Sequence, residues 1–243
     1  MDENPERIRV LVVRHGVTLW NKEGRYQGQT DIPLSDEGIS QAEAVGRRLA
    51  GEPVCRVYSS DLARARMTAS IIARHHDIEV KTDRRLREMY FGEWEGLTFD
   101  EIGKKWPGLR DKWLKDPVNL RPPGGESASD LISRVLKAVR DIYSDIKDIT
   151  PAGPGDEPVA IRPEQQDEPV GIRPEREGKD GAGPCCVIVC HGGVIRSLIA
   201  LSSSGSAESM WSRAVRQSSI TTGRLGPDGL VIESWDDVAH LGG

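Results

Sequence analysis

Apolar positions fall into two kinds of run along the chain. Short runs with little alternation occur at IRVLVV (8–13), VCRVYSS (54–60), IEVKT (78–82) and CCVIVC (185–190), the pattern of strands covered on both faces in a parallel sheet. SITTGRL (219–225) and GLVIESW (229–235), joined by GPDG, predict a hairpin. Between the strands, apolar residues recur at helical spacing in SDEGISQAEAVGRRLA (35–50), DLARARMTASIIARHH (61–76), ESASDLISRVLKAVRDIYSDI (126–146) and GVIRSLIAL (193–201). Ser35 or Asp36 is the expected N-cap of the first. Ser127 and Asp130 have capping-box spacing before the third, with aspartate in place of the usual glutamate. Strands alternating with helices of this length predict an α/β three-layer sandwich with a mostly parallel central sheet, helices on both faces and a C-terminal hairpin. Residues 98–125 carry no readable pattern and are taken as a cap region.

Residues 148–183 break this order. They hold six prolines, six glycines and no aromatic residue, and contain DEPVAIRPEQQ followed by DEPVGIRPERE, a tandem repeat with a period of 11. Such a segment buries too little apolar surface to offset its ordering entropy, and two units are too few for a solenoid. The chain, 1–243, is therefore expected to be a single domain with a disordered acidic insert at 148–183. The insert has nine acidic against four basic residues, an excess equal to the whole chain's net charge of −5, which leaves the body close to neutral.

That charge argues against nucleic acid as a partner, and no stretch approaches the roughly 20 apolar residues of a membrane span. The polar start, MDENPERIRV, does not resemble a signal peptide. Cys55, Cys185, Cys186 and Cys190 lack zinc-ligand spacing, and three of them lie in a strand where free cysteine packs as a small hydrophobe. A cytoplasmic protein without metal or other cofactor is the expectation. A homodimer is left open.

The chemistry lies at strand ends. IRVLVV runs into Arg14 and His15, and CCVIVC runs into His191, followed by two glycines and a helix start whose free amides favour an anion. In open α/β sheets ligands bind outside the carboxyl ends of the strands. VCRVYSS leads into a helix with Arg64 in its first turn, so Arg14, His15, Arg64 and His191 are expected on one rim. Two guanidinium forks with two imidazoles suit a phosphate better than a neutral ligand. Glu88, in RRLREMYFGEWEG, is the candidate proton donor. His75, His76 and His240 are read as structural, and Glu126 as the residue that leads into its helix.

LVVRHGVTLWN, YQGQTDIPLSDEGISQA, SSDLARARMTA, LREMYFGEWEG, PGGES and VCHGG, in this order, resemble the histidine phosphatase superfamily. The branch is that of cofactor-independent phosphatases related to phosphoglycerate mutase, and SITT through WDDVAHL resembles α-ribazole-phosphatase-like members. The resemblance implies that His15 is the nucleophile and that Arg14, Arg64 and His191 hold the phosphoryl oxygens. Glu88 would be the general acid. Asn21 matches a polar residue lining the pocket, and Gln27 and Gly28 a flanking loop; Gly192 joins the substrate-binding set from the helix start read above. Val17 departs from the glutamate, serine or glutamine of many members. A phosphomonoester hydrolase is expected, acting on small metabolites of which α-ribazole 5'-phosphate is one candidate. The alternatives are mutase-type phosphoryl transfer and a non-catalytic scaffold that works through the insert.

Overall fold

The computed structural model describes residues 7–147, 185–202 and 207–242. The expected insert, 148–183, lies outside the described residues.

Six strands form one mixed sheet in the order β3-β2-β4-β1-β5-β6. They are β1 (Ile8–Arg14), β2 (Val54–Ser59), β3 (Val80–Thr82), β4 (Cys185–Cys190), β5 (Ile220–Gly226) and β6 (Gly229–Asp237). The first four run parallel to one another, while β5 is antiparallel to both β1 and β6. This is the mostly parallel sheet with a terminal hairpin that the sequence predicts. β3 is shorter than IEVKT because only Val80 to Thr82 find partners on β2.

Alternate residues of the central strands feed two apolar cores. Leu11 and Val13 of β1 with Val187 and Val189 of β4 pack against α2 (Asp36–Leu49) and α3 (Ala63–Arg74). Val10 and Val12 with Cys186, Ile188 and Cys190 face α6 (Ala128–Ile146) and α7 (Gly192–Ser202). All six residues of β4 are buried, as expected for a strand covered on both faces. On α6 the stripe Leu131, Val135, Ala138, Val139, Ile142 and Ile146 is buried at helical spacing. Its start is fixed by the expected box, in which Ser127 accepts from Asp130 N–H and Asp130 from Ser127 N–H.

Three further helices are short: α1 (Leu19–Lys22), α4 (Phe99–Lys105) and α5 (Leu109–Lys115). Each of α4 and α5 inserts one fully buried side chain, Ile102 and Trp113, into the α6/α7 core. Among the described residues no helix is long and apolar enough to cross a membrane.

β1 and β4 are adjacent and in register, Arg14 opposite Cys190. His15 and His191, the residues that follow, therefore emerge side by side from the same end of the sheet. His15 N–H donates to Cys190 O at 3.1 Å, which extends the ladder by one bond.

Candidate active site

The two imidazoles meet edge to face, with ring centroids 5.1 Å apart and planes at 61°. His15 Nδ1 lies 2.7 Å from Gly16 O. A carbonyl can only accept, so Nδ1 carries the proton and Nε2 keeps its lone pair. His191 is fully buried, and neither ring nitrogen has a hydrogen-bond partner among the described residues. A buried polar group of that kind is costly unless a ligand satisfies it. The backbone here is held tightly: Gly16 N–H donates to Thr68 Oγ at 3.3 Å, and Ser218 N–H to His15 O at 3.2 Å. Gly16 also abuts Gly38, where a Cβ on Gly16 would lie 2.3 Å from the Gly38 carbonyl oxygen.

Arg64 is fully buried. Its Nη1 donates to Thr30 O at 2.8 Å and its Nη2 to Gly28 O at 2.7 Å. These carbonyls belong to a loop pinned from two sides. Asp31 accepts from Ala63 N–H at 2.7 Å and so caps the helix that carries Arg64. Glu95 accepts from Gln29 N–H, Thr30 N–H and Phe91 N–H. Gly28 sits at φ +53°, and a Cβ there would fall 1.9 Å from Glu95 Oε1, so glycine is required both by conformation and by space. Arg14 is half-buried and donates to Val215 O. Arg196 on α7 packs beside it against Gly192 and donates to Arg213 O at 2.8 Å. Among the described residues none of these three guanidiniums forms an ion pair. Burial and the adjacent Arg196 push Arg14 down to about 10, and burial pushes Arg64 down to about 10 with Glu88 opposing. Both stay charged at neutral pH.

Glu88 reaches the same place from the segment after a 3-10 turn (Arg84–Leu86). Its carboxylate accepts from Gly193 N–H at 3.0 and 3.1 Å and from Met89 N–H at 2.7 Å. The first amides of α7 were expected to be open to an anion, and here Glu88 occupies that of Gly193.

The sequence-predicted set of Arg14, His15, Arg64, Glu88, His191 and Gly192 is thus brought together. Gly28 joins it through its carbonyl. Asn21 and Gln27 are more indirect, since both carboxamide oxygens are engaged with Thr18, at 3.1 Å from its N–H and 2.9 Å from its hydroxyl respectively. Val17 is buried, and its backbone is tied to Gln41 and Ser35. His240 is structural and bonds Ser218 O at 3.0 Å. His75 is half-buried and packs on Gly46, so the helix end there is less exposed than the sequence implies. Sequence reasoning did not single out Glu95, Arg134 or Arg196. In each case the signal lies in which backbone atoms the side chain meets. Among the described residues no group of three or more His, Cys, Asp or Glu could hold a metal ion.

Burial, reinforced by Arg64 and Arg14, holds both His15 and His191 well below the usual 6.5. They are therefore neutral in the folded state at pH 7. The unfolded chain takes up their protons as pH falls through about 6.5 while the folded chain does not, so their contribution to stability is complete above that pH and is lost below it. For two such groups the slope approaches about 2.7 kcal/mol per pH unit. Urea melts between pH 7.5 and 5.5 should show this fall, and His191→Asn should remove roughly half of the slope. A flat profile would mean that the imidazoles take up protons alike in the folded and unfolded chain.

Comparison with known proteins agrees with this geometry. Residues 10–150 match the family model described as histidine phosphatase superfamily (branch 1). Phosphoglycerate mutase-like protein 4 of Arabidopsis thaliana is 34% identical over 98% of this chain and 89% of its own. Glucosyl-3-phosphoglycerate phosphatase of Mycolicibacterium vanbaalenii is 39% identical over 63% of this chain and 67% of its own. The solved structure of Bacillus stearothermophilus YhfR superposes with a TM-score of 0.76 at 28% identity, covering 96% of this chain and 98% of that one.

Proposed function

Because the chain belongs to the histidine phosphatase superfamily, we propose that it is a metal-independent phosphomonoester hydrolase working through a phosphohistidine on His15. The observation that carries this reading is the His15 Nδ1 contact to Gly16 O. It leaves an unprotonated Nε2 in a pocket that also holds three guanidiniums with no ion pair among the described residues. In the first step Nε2 bonds to phosphorus while the P–O bond to the leaving group breaks, and Glu88 gives its proton to the departing oxygen. In the second, Glu88 takes a proton from water as water attacks phosphorus. The N–P bond breaks, inorganic phosphate leaves, and His15 and Glu88 return to their starting states.

Phosphoryl transfer is catalysed chiefly by positioning and charge stabilisation. Arg14, Arg64 and an N–H of His191 supply both, with Gly192 allowing Arg14 and Arg196 to approach the backbone. Asn21 and Gln27, whose carboxamide oxygens are engaged with Thr18, would meet the substrate through their amide nitrogens. The substrate is a small phosphorylated metabolite.

A second reading, phosphoglycerate mutase-type transfer, is favoured by the name of the Arabidopsis relative. Measurement of kcat/KM over a panel of phosphomonoesters decides between them. The panel would include glucosyl-3-phosphoglycerate, α-ribazole 5'-phosphate, phosphoserine and 3-phosphoglycerate, each with and without chelator. Release of inorganic phosphate at chelator-independent rates supports hydrolysis, whereas isomerisation of 3-phosphoglycerate without phosphate release supports the mutase. Activity that disappears with chelator overturns metal independence.

Gly193→Ala separates stability from chemistry. A Cβ there would lie 2.2 Å from Glu88 Oε1 and must displace that carboxylate. Alanine in the first turn of α7 would otherwise favour the helix by up to about 1 kcal/mol. The expected result is an unchanged or raised Tm with kcat/KM on alkyl phosphates lowered by up to about a hundredfold.

A further inference from the structure

We propose that Arg134 and Glu126 form a positioning pair that sets where Glu88 delivers its proton. The inference rests on reading Glu88 as the general acid. Arg134 lies on α6, and Glu126 immediately precedes that helix's N-cap, Ser127. All five N–H groups of Arg134 are used. Its Nη1 donates to Arg85 O at 2.8 Å and Arg87 O at 2.6 Å. Its Nη2 donates to Glu88 O at 2.8 Å and to Glu126 Oε1, and its Nε to Glu126 Oε2 at 3.2 Å. Glu126 then takes hold on the other side of Glu88: its Oε1 accepts from Tyr90 N–H at 2.8 Å, and its own N–H donates to Tyr90 O at 2.9 Å.

Glu88 lies between two 3-10 turns, Arg84–Leu86 and Gly92–Trp94, outside any strand or long helix. No strand ladder fixes it. The carbonyls of Arg87 and Glu88 have no backbone donors among the described residues, so this ion pair and the Gln29 side chain, 3.3 Å from Glu88 O, hold them. The pair is mostly shielded, with side chains 19% and 15% exposed. Its anchor is α6, whose apolar face is locked into the core, so the acid's position is referred to the rigid body of the fold. A fork of five donors is required here. Lysine, a point charge with three rotatable donors, cannot bridge three carbonyls and a carboxylate.

A displaced acid has a signature that general loss of structure lacks. kcat/KM reports steps through departure of the leaving group, so only poor leaving groups need the proton in that quantity. The test compares wild type, Arg134→Lys, Glu126→Gln and Glu88→Gln on an alkyl phosphate and on p-nitrophenyl phosphate, with Tm and inhibition by inorganic phosphate measured in parallel. Arg134→Lys and Glu126→Gln should lower kcat/KM on the alkyl phosphate by about ten- to a hundredfold, with p-nitrophenyl phosphate and phosphate inhibition nearly unchanged. Equal losses on both esters, or no loss, overturn the inference. If Glu88→Gln itself shows no dependence on the leaving group, the reading of Glu88 fails; if it does while the pair's variants do not, only the positioning role fails. Glu126→Gln keeps its shape and an oxygen for Tyr90 N–H, so it carries the comparison if Arg134→Lys does not fold.

Discussion

Replacing His15 with alanine is expected to lower kcat by at least about ten-thousandfold, which corresponds to roughly 5.5 kcal/mol of barrier. The size follows from what is removed. Without Nε2 no N–P bond can form, and water must attack the ester directly in a pocket arranged for imidazole. The remaining anion site should persist, because Arg64 is held by Gly28 O and Thr30 O and Arg14 by Val215 O, none of them through the His15 side chain. Inorganic phosphate should therefore still bind the variant, which calorimetry can measure. Wild type mixed with labelled substrate and quenched rapidly should yield a phosphoprotein labile to acid and stable to alkali, and His15→Ala none. A phosphoprotein with the stability of a serine ester or an acyl phosphate would overturn the nucleophile assignment.

The parts of this site that were legible in the sequence are those whose chemistry sits next to a hydrophobic pattern. RHG after IRVLVV and HGG after CCVIVC could be located because a strand covered on both faces leaves an unbroken apolar run, and the chain must change character where the strand ends. Arg64 was legible through its place in the first turn of a periodic helix. The short helices were not. α4 and α5 each have seven residues and one fully buried anchor, Ile102 or Trp113, so no repeat exists to detect.

Glu95 and Arg134 escaped for a different reason. Most of their partners are backbone groups supplied by loops 65 and 66 residues away for Glu95 and 46 to 49 for Arg134, and a charge such as Arg134's on an amphipathic helix otherwise reads as a solvated face. The glycines after His191 are where Arg14, Arg196 and Glu88 come close to the backbone. What the sequence could not convey is that the amide of Gly193 meets Glu88 from a segment more than a hundred positions earlier.

Glu88→Gln should lower kcat/KM on alkyl phosphates by about a hundredfold to ten-thousandfold, the usual share of a general acid, and should leave p-nitrophenyl phosphate far less affected. Glutamine has the same shape and keeps an oxygen to accept from Gly193 N–H and Met89 N–H, so the substitution removes the transferable proton while sparing the fold. It also removes the negative charge that the Glu88 carboxylate carries whenever it is without that proton. Glu88 is the carboxylate that acts on Arg14, Arg64 and Arg196 together, and without it a dianion meets a more positive pocket. Inorganic phosphate should therefore inhibit Glu88→Gln more strongly than wild type even as catalysis falls. That opposition is the diagnostic result, since a variant damaged in structure would lose affinity and rate together. Parallel losses on both esters with weakened phosphate inhibition would move Glu88 from proton donor to structural support, and the proton for the leaving oxygen would then have to come from solvent.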